Sequence, residues 1–136
     1  MSGTDFVAEA RRWLRYATED LASAKALAAS DETTPRQPCW LAQQAAEKAL
    51  KATLIALGTD FPRSHDLDLL CNLLPADRRA WLPTSDLAEL TEWAVEARYP
   101  GDWPEATPAD AARAIATAEQ VVHAVQTELL RLAKGT

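Results

Sequence analysis

The 136 residues and 14.9 kDa fit one compact domain, 1–136, and leave little room for a second. Hydrophobic residues at 48% and charged residues at 25% exclude wholesale disorder and a fibrous repeat. A formal charge of −6 excludes a surface field that steers long nucleic acid, so any RNA contact must be local.

Twenty-eight alanines and 18 leucines stand against five valines and two isoleucines, a balance that favours helix over sheet and predicts an all-α fold. Eight prolines, at 35/38, 62, 75/83 and 100/104/108, punctuate the chain. The proline-free stretches 1–34, 39–61, 63–74, 84–99 and 109–136 are read as five helices, with irregular zones at 30–38, 75–84 and 99–107.

In the first stretch Ala10, Trp13, Ala17, Leu21, Ala24 and Ala28 recur at spacings of three and four, the stripe of an amphipathic outer helix. The second, from about Pro38 to Leu57, is apolar around much of its circumference, as a central helix is, and Gly58 is placed to end it. The third runs through Leu67, Leu69, Leu70, Leu73 and Leu74 with Ser64 or Asp66 as its cap, and the fourth carries Leu87, Leu90, Ala94 and Ala97. The fifth opens with Thr107-Pro108-Ala109-Asp110, an N-cap hydroxyl, a proline at the first helical position and an acid at the third. Its stripe of Ile115, Ala118, Val122, Val125, Leu129 and Leu132 suits a long antiparallel partner, helix one or helix two.

Cys39 and Cys71 lack close spacing, no apolar run approaches the roughly 20 residues that span a bilayer, and Met1-Ser2-Gly3-Thr4-Asp5 does not begin a secretory pattern. The expectation is a reduced, cytoplasmic protein without a membrane contact. His65 and His123 have no second histidine or cysteine at ligand spacing, so no metal is expected. The glycines are isolated at 3, 58, 101 and 135, which excludes Rossmann and P-loop phosphate cradles, and no cofactor is expected.

The second helix carries Gln43-Gln44-Ala45-Ala46-Glu47-Lys48-Ala49-Leu50-Lys51. Glu47 and Lys51, four apart in the favourable order, read as a solvated stripe worth about 0.2–0.5 kcal/mol. Gln43 and Glu47 share a face that can point into a polar seam.

The run from Cys39 to Ala52, then Gly58, then His65-Asp66-Leu67, then Ala97-Arg98-Tyr99-Pro100, resembles the HEPN domain family of small prokaryotic helical proteins. Trp13-Leu14 and Asp20-Leu21-Ala22-Ser23-Ala24 fit as well, and the resemblance extends over roughly Ala10 to Leu130. It implies an up-and-down four-helix bundle with a short additional helix, commonly a homodimer, and often a minimal nucleotidyltransferase as partner in a toxin-antitoxin pair. Active members resemble one another in an Arg-x4–6-His motif for metal-independent RNA cleavage. Histidine moves the proton of a ribose 2′-hydroxyl, and arginine stabilises the charge developing on the phosphate.

On this chain the motif starts at Arg98 and meets Trp103, Pro104 and Glu105 where the histidine belongs. Tryptophan cannot exchange a proton near neutral pH, so that mechanism lacks its proton carrier at this position. Two substitutes remain: His65, if folding brings it beside Arg98, and Asp102, which would need burial. Every residue also has an ordinary reading. Arg98 suits the end of helix four, Trp103 packs under its loop, His65 caps or precedes helix three, and His123 is a partly exposed helical position. Arg11, Arg12 and Arg15 form a solvated basic patch.

The reading is a homodimeric binding protein that holds a nucleotide or RNA phosphate, or a nucleotidyltransferase partner, without the usual catalytic histidine. Its binding candidates are Arg98, Tyr99, Trp103, Gln43 and Glu47. One alternative is an endoribonuclease using Arg98 with His65 or Asp102. The other is a structural adaptor whose apolar second helix and five tryptophans build an interface.

Overall fold

Alanine spacing on the first two long helices sets how the chain packs. The computed structural model describes residues 3–94 and 100–134. Six helices occur among them, α1 Gly3–Ala28, α2 Arg36–Ala56, α3 Leu67–Asn72, α4 Ala76–Arg79, α5 Leu87–Thr91 and α6 Pro108–Lys134, with no strand. On α1, Ala10, Ala17 and Ala24 are fully buried, and on α2 so are Ala42, Ala45, Ala46 and Ala49. Side chains this small let two helix axes approach closely. The pair runs antiparallel: Lys48 Nζ meets Asp20 Oδ2 at 2.5 Å, and Gly58, just past α2, lies against Phe6 near the start of α1.

The second helix is central, as its composition predicts. α1 packs on one side of α2, α6 packs against both, and the short α3 and α5 close the remaining side, completing an all-helical bundle. Leu50 and Leu54 of α2, Leu67 and Leu70 of α3, Leu87 of α5 and Val121 of α6 have no exposed surface and belong to one core. No helix of the described residues is long and apolar enough to cross a membrane.

Helix ends follow local chemistry. Gly58, at φ 69°, ends α2 while its N–H donates to Ile55 O and that of Thr59 donates to Leu54 O. This doubly bonded reversal favours glycine. Of the two predicted caps of α3 it is Asp66 that serves, its Oδ1 accepting from Leu69 N at 3.2 Å, while Ser64 Oγ accepts from the N–H of Asp66 itself at 3.0 Å. At α6 the bonds are reciprocal, Asp110 N to Thr107 Oγ1 at 3.1 Å and Thr107 N to Asp110 Oδ2 at 2.9 Å.

Three boundaries differ from the sequence reading. α2 starts at Arg36 and takes Pro38 into its first turn, where a missing N–H loses no bond. The zone 75–84 holds α4, because Pro75 opens that turn, with its carbonyl accepting from Arg78 N. Residues 58–66 are a further irregular segment, since the backbone of Asp66 is extended and helix begins only at Leu67. The described part of the expected fourth helix is α5, after which Glu92, Trp93 and Ala94 tighten into i to i−3 bonds. The remainder of that expectation, including Ala97, lies outside the described residues.

Thr107→Ala is expected to remove about 1 kcal/mol of stability near neutral pH, read by urea unfolding. The Thr107 backbone N–H holds the Asp110 carboxyl below its ordinary value, with further help from the Thr107 hydroxyl and Arg113. A depressed carboxyl stabilises above its unfolded value and loses that contribution as pH falls through its folded value. The deficit of Asp110→Asn therefore shrinks as pH falls below the ordinary 3.8. A deficit that stays constant into that range contradicts the cap.

Candidate functional site

Residues four apart lie over one another on a helix face, so Gln43, Glu47 and Lys51 form a polar row along α2. That row is buried: Gln43 has no exposed surface, Glu47 has 6% and Lys51 9%. The solvated-stripe reading of Glu47 and Lys51 is overturned. Since α2 is covered by α1, α6, α3 and α5, the row has neighbours where a surface helix has water.

Lys51 Nζ lies 3.0 Å from Glu47 Oε2 and 5.7 Å from the centre of the Phe61 ring. Phe61 meets Trp13 of α1 edge to face, with centroids 6.4 Å apart. The ammonium thus has one carboxylate partner and an aromatic face beside it. Glu47 Oε1 receives two further groups, His65 Nδ1 at 2.7 Å and Gln43 Nε2 at 3.3 Å. Gln43 Nε2 also donates to the His65 carbonyl at 2.9 Å, and Gln44 Nε2 donates to Gln43 Oε1 at 2.8 Å. Among the described residues no buried side-chain nitrogen or oxygen lacks a hydrogen bond.

An ionised carboxylate only accepts, so the contact with Glu47 places a proton on His65 Nδ1. In the neutral ring the lone pair then sits on Nε2, as a general base requires. The imidazole is 44% exposed while its carboxylate partner is buried. Because Gln43 grips the His65 backbone and Glu47 the ring, the segment before α3 is tied to α2 at two points.

The fold therefore brings together three of the sequence candidates, Gln43, Glu47 and His65. His65 does more than precede helix three: its ring is bonded to a buried acid on another element. Asp102 is exposed and lacks the burial that a proton-carrying role demands. Trp103 is 41% exposed. Arg98 and Tyr99 lie outside the described residues. Lys51 and Phe61 were not among the candidates; the signal for Lys51 was the nearly continuous apolar circumference of helix two, which leaves no side for a solvated lysine. Burial raises the Cys71 thiol above its ordinary value, so it remains protonated and is no nucleophile at neutral pH. No group of three or more His, Cys, Asp or Glu suited to a metal ion occurs among the described residues.

The HEPN domain profile matches residues 10–129, the greater part of the chain and all three long helices. The chain belongs to the HEPN domain family. Two solved structures share the fold of this HEPN domain. TT1696 from Thermus thermophilus is 27% identical with a TM-score of 0.74, covering 88% of this chain and 97% of its own. ST0689, described as an archaeal HEPN homologue, is 26% identical with a TM-score of 0.67 over the same shares. No match is found among curated proteins.

Removing the acid strands a buried ammonium. Glu47→Ala is expected to lose about 3–5 kcal/mol in urea unfolding, and pairing Glu47→Leu with Lys51→Met to recover most of it. A loss under about 1 kcal/mol, the scale of exposed pairs, contradicts the buried network.

Proposed function

We propose that this HEPN domain binds the phosphates of a nucleotide or a short RNA segment at the face carrying His65, as a homodimer and with little or no turnover. The observation that carries the reading is the His65 imidazole, partly exposed and held through Nδ1 by the buried Glu47 carboxylate. A partly exposed imidazole can meet a phosphate or hydroxyl, and its ring donates when protonated and accepts when neutral. The net charge of −6 limits such contact to a short stretch of ligand. Arg98 and Tyr99 join the site on sequence alone, as the Arg-Tyr-Pro segment of the family resemblance.

Binding is favoured over cleavage because cutting RNA at the 2′-hydroxyl needs one group to remove a proton and another to return one to the leaving oxygen. The described network holds one imidazole, and the motif histidine expected after Arg98 is absent. A second reading, a metal-independent endoribonuclease, is favoured by the same acid-backed histidine, with the missing group supplied from a second subunit. Its partner within a toxin-antitoxin pair would be the minimal nucleotidyltransferase that accompanies many family members.

Gel-shift titration with a fluorescent 12-nucleotide RNA in EDTA and low salt tests both readings. His65→Ala is expected to weaken binding roughly tenfold with unchanged circular dichroism, and the labelled strand to remain intact. Absence of saturable binding by the wild type overturns the proposal. Strand cleavage by the wild type, lost in His65→Ala and in Arg98→Ala, replaces it with the second reading.

A further inference from the structure

A second place in the molecule combines a cavity, an exposed indole and two arginines that share one acid, and it lies apart from the His65 network. Between α4 and the C-terminal half of α6 there is an open cavity of about 560 Å³, with Thr53 of α2 among its lining. That volume falls within the range of small-molecule sites. Leu74, Leu82 and Val125 supply apolar wall. Trp81, just beyond α4, stands at the same cavity with 80% of its surface exposed. A large indole left in water is unusual unless something covers it.

Both arginines of the cavity meet one acid, and Thr53, Asp77, His123 and Thr127 complete the polar lining. Glu128 Oε1 accepts from Arg131 Nη2 at 2.8 Å and also from Arg78 Nη1, while Oε2 accepts from Arg131 Nε at 3.2 Å. Two guanidiniums thus share one largely buried carboxylate. Asp77 adds only a 3.8 Å contact to Arg78 from a side chain in solvent, which screens its charge. Each guanidinium carries five N–H donors, and the hydrogen bonds to Glu128 use one from Arg78 and two from Arg131. With Asp77 the formal charges of the lining balance, and what the cavity keeps in excess is guanidinium N–H donors beyond those that Glu128 uses.

We propose that this cavity binds a small aromatic carboxylate, its ring on Trp81 and the leucine wall and its carboxylate on the remaining donors of Arg78 and Arg131. A cationic ligand is disfavoured because Glu128 already serves two arginines. A wholly apolar ligand leaves the spare guanidinium donors unmatched.

Calorimetric titration of the full-length protein with naphthalene-2-carboxylate, and with the neutral 2-naphthalenemethanol as its counterpart, tests the assignment. The carboxylate is expected to bind saturably and at least about tenfold more tightly than the alcohol. Arg131→Gln should reduce that preference to about threefold or less, with Arg78 still pairing Glu128. Thr127→Phe, an exposed cavity position, should fill the space and weaken both ligands more than about tenfold with unchanged circular dichroism. Equal affinity for the two ligands, no saturable binding, or wild-type binding by Thr127→Phe overturns the proposal.

Discussion

A carboxylate buried in a helical bundle must be matched by charge and hydrogen bonds, and Glu47 organises much of this fold around that requirement. Its two oxygens engage Lys51, His65 and Gln43, which come from two turns of α2 and the segment before α3. Burial of such an ion pair is weak evidence for added stability, since desolvation offsets the attraction. Its stronger consequence is positional. Acceptor-only chemistry at Glu47 fixes both where the His65 ring lies and which nitrogen carries the proton.

The rest of the bundle makes that placement possible. Alanines let α1 and α2 pack closely, so α2 becomes central and its polar row cannot reach solvent. Trp13 and Phe61 then cover the Lys51 side, while the Gly58 reversal turns the chain so that Phe61 and His65 return along α2. The wet end of the row is the His65 edge, where the site meets solvent. The α4–α6 cavity uses a different logic: one acid serves two arginines and leaves guanidinium donors over, whereas the Glu47 row uses its polar groups on one another.

Elements with strong local chemistry were legible in the sequence. Thr107-Pro108-Ala109-Asp110 announces α6 because hydroxyl, proline and acid each satisfy a specific need of a helix start. Asp66 marks α3 for the same reason, and the apolar girth of helix two marks it as central. α4 was not legible, because a proline read as a stop serves equally as a start, which Pro75 does. The network was legible only in part. Four-residue spacing puts Gln43 and Glu47 on one face, but it does not say whether that face is wet. The His65 ring joins Glu47 across 18 residues, a contact that depends on how the intervening reversal packs. Asp102 and Trp103 illustrate the converse, since motif spacing drew attention to a segment that is exposed where it is described.

A buried carboxylate that dictates the tautomer of an imidazole leaves a directly measurable mark. A long-range proton–nitrogen correlation spectrum of the uniformly labelled protein, recorded where the His65 ring is neutral, distinguishes the two ring nitrogens. A protonated Nδ1 and an unprotonated, pyridine-like Nε2 are expected for His65. A neutral ring with its proton on Nε2 would contradict this assignment, because Nδ1 would then have no hydrogen to give to Glu47.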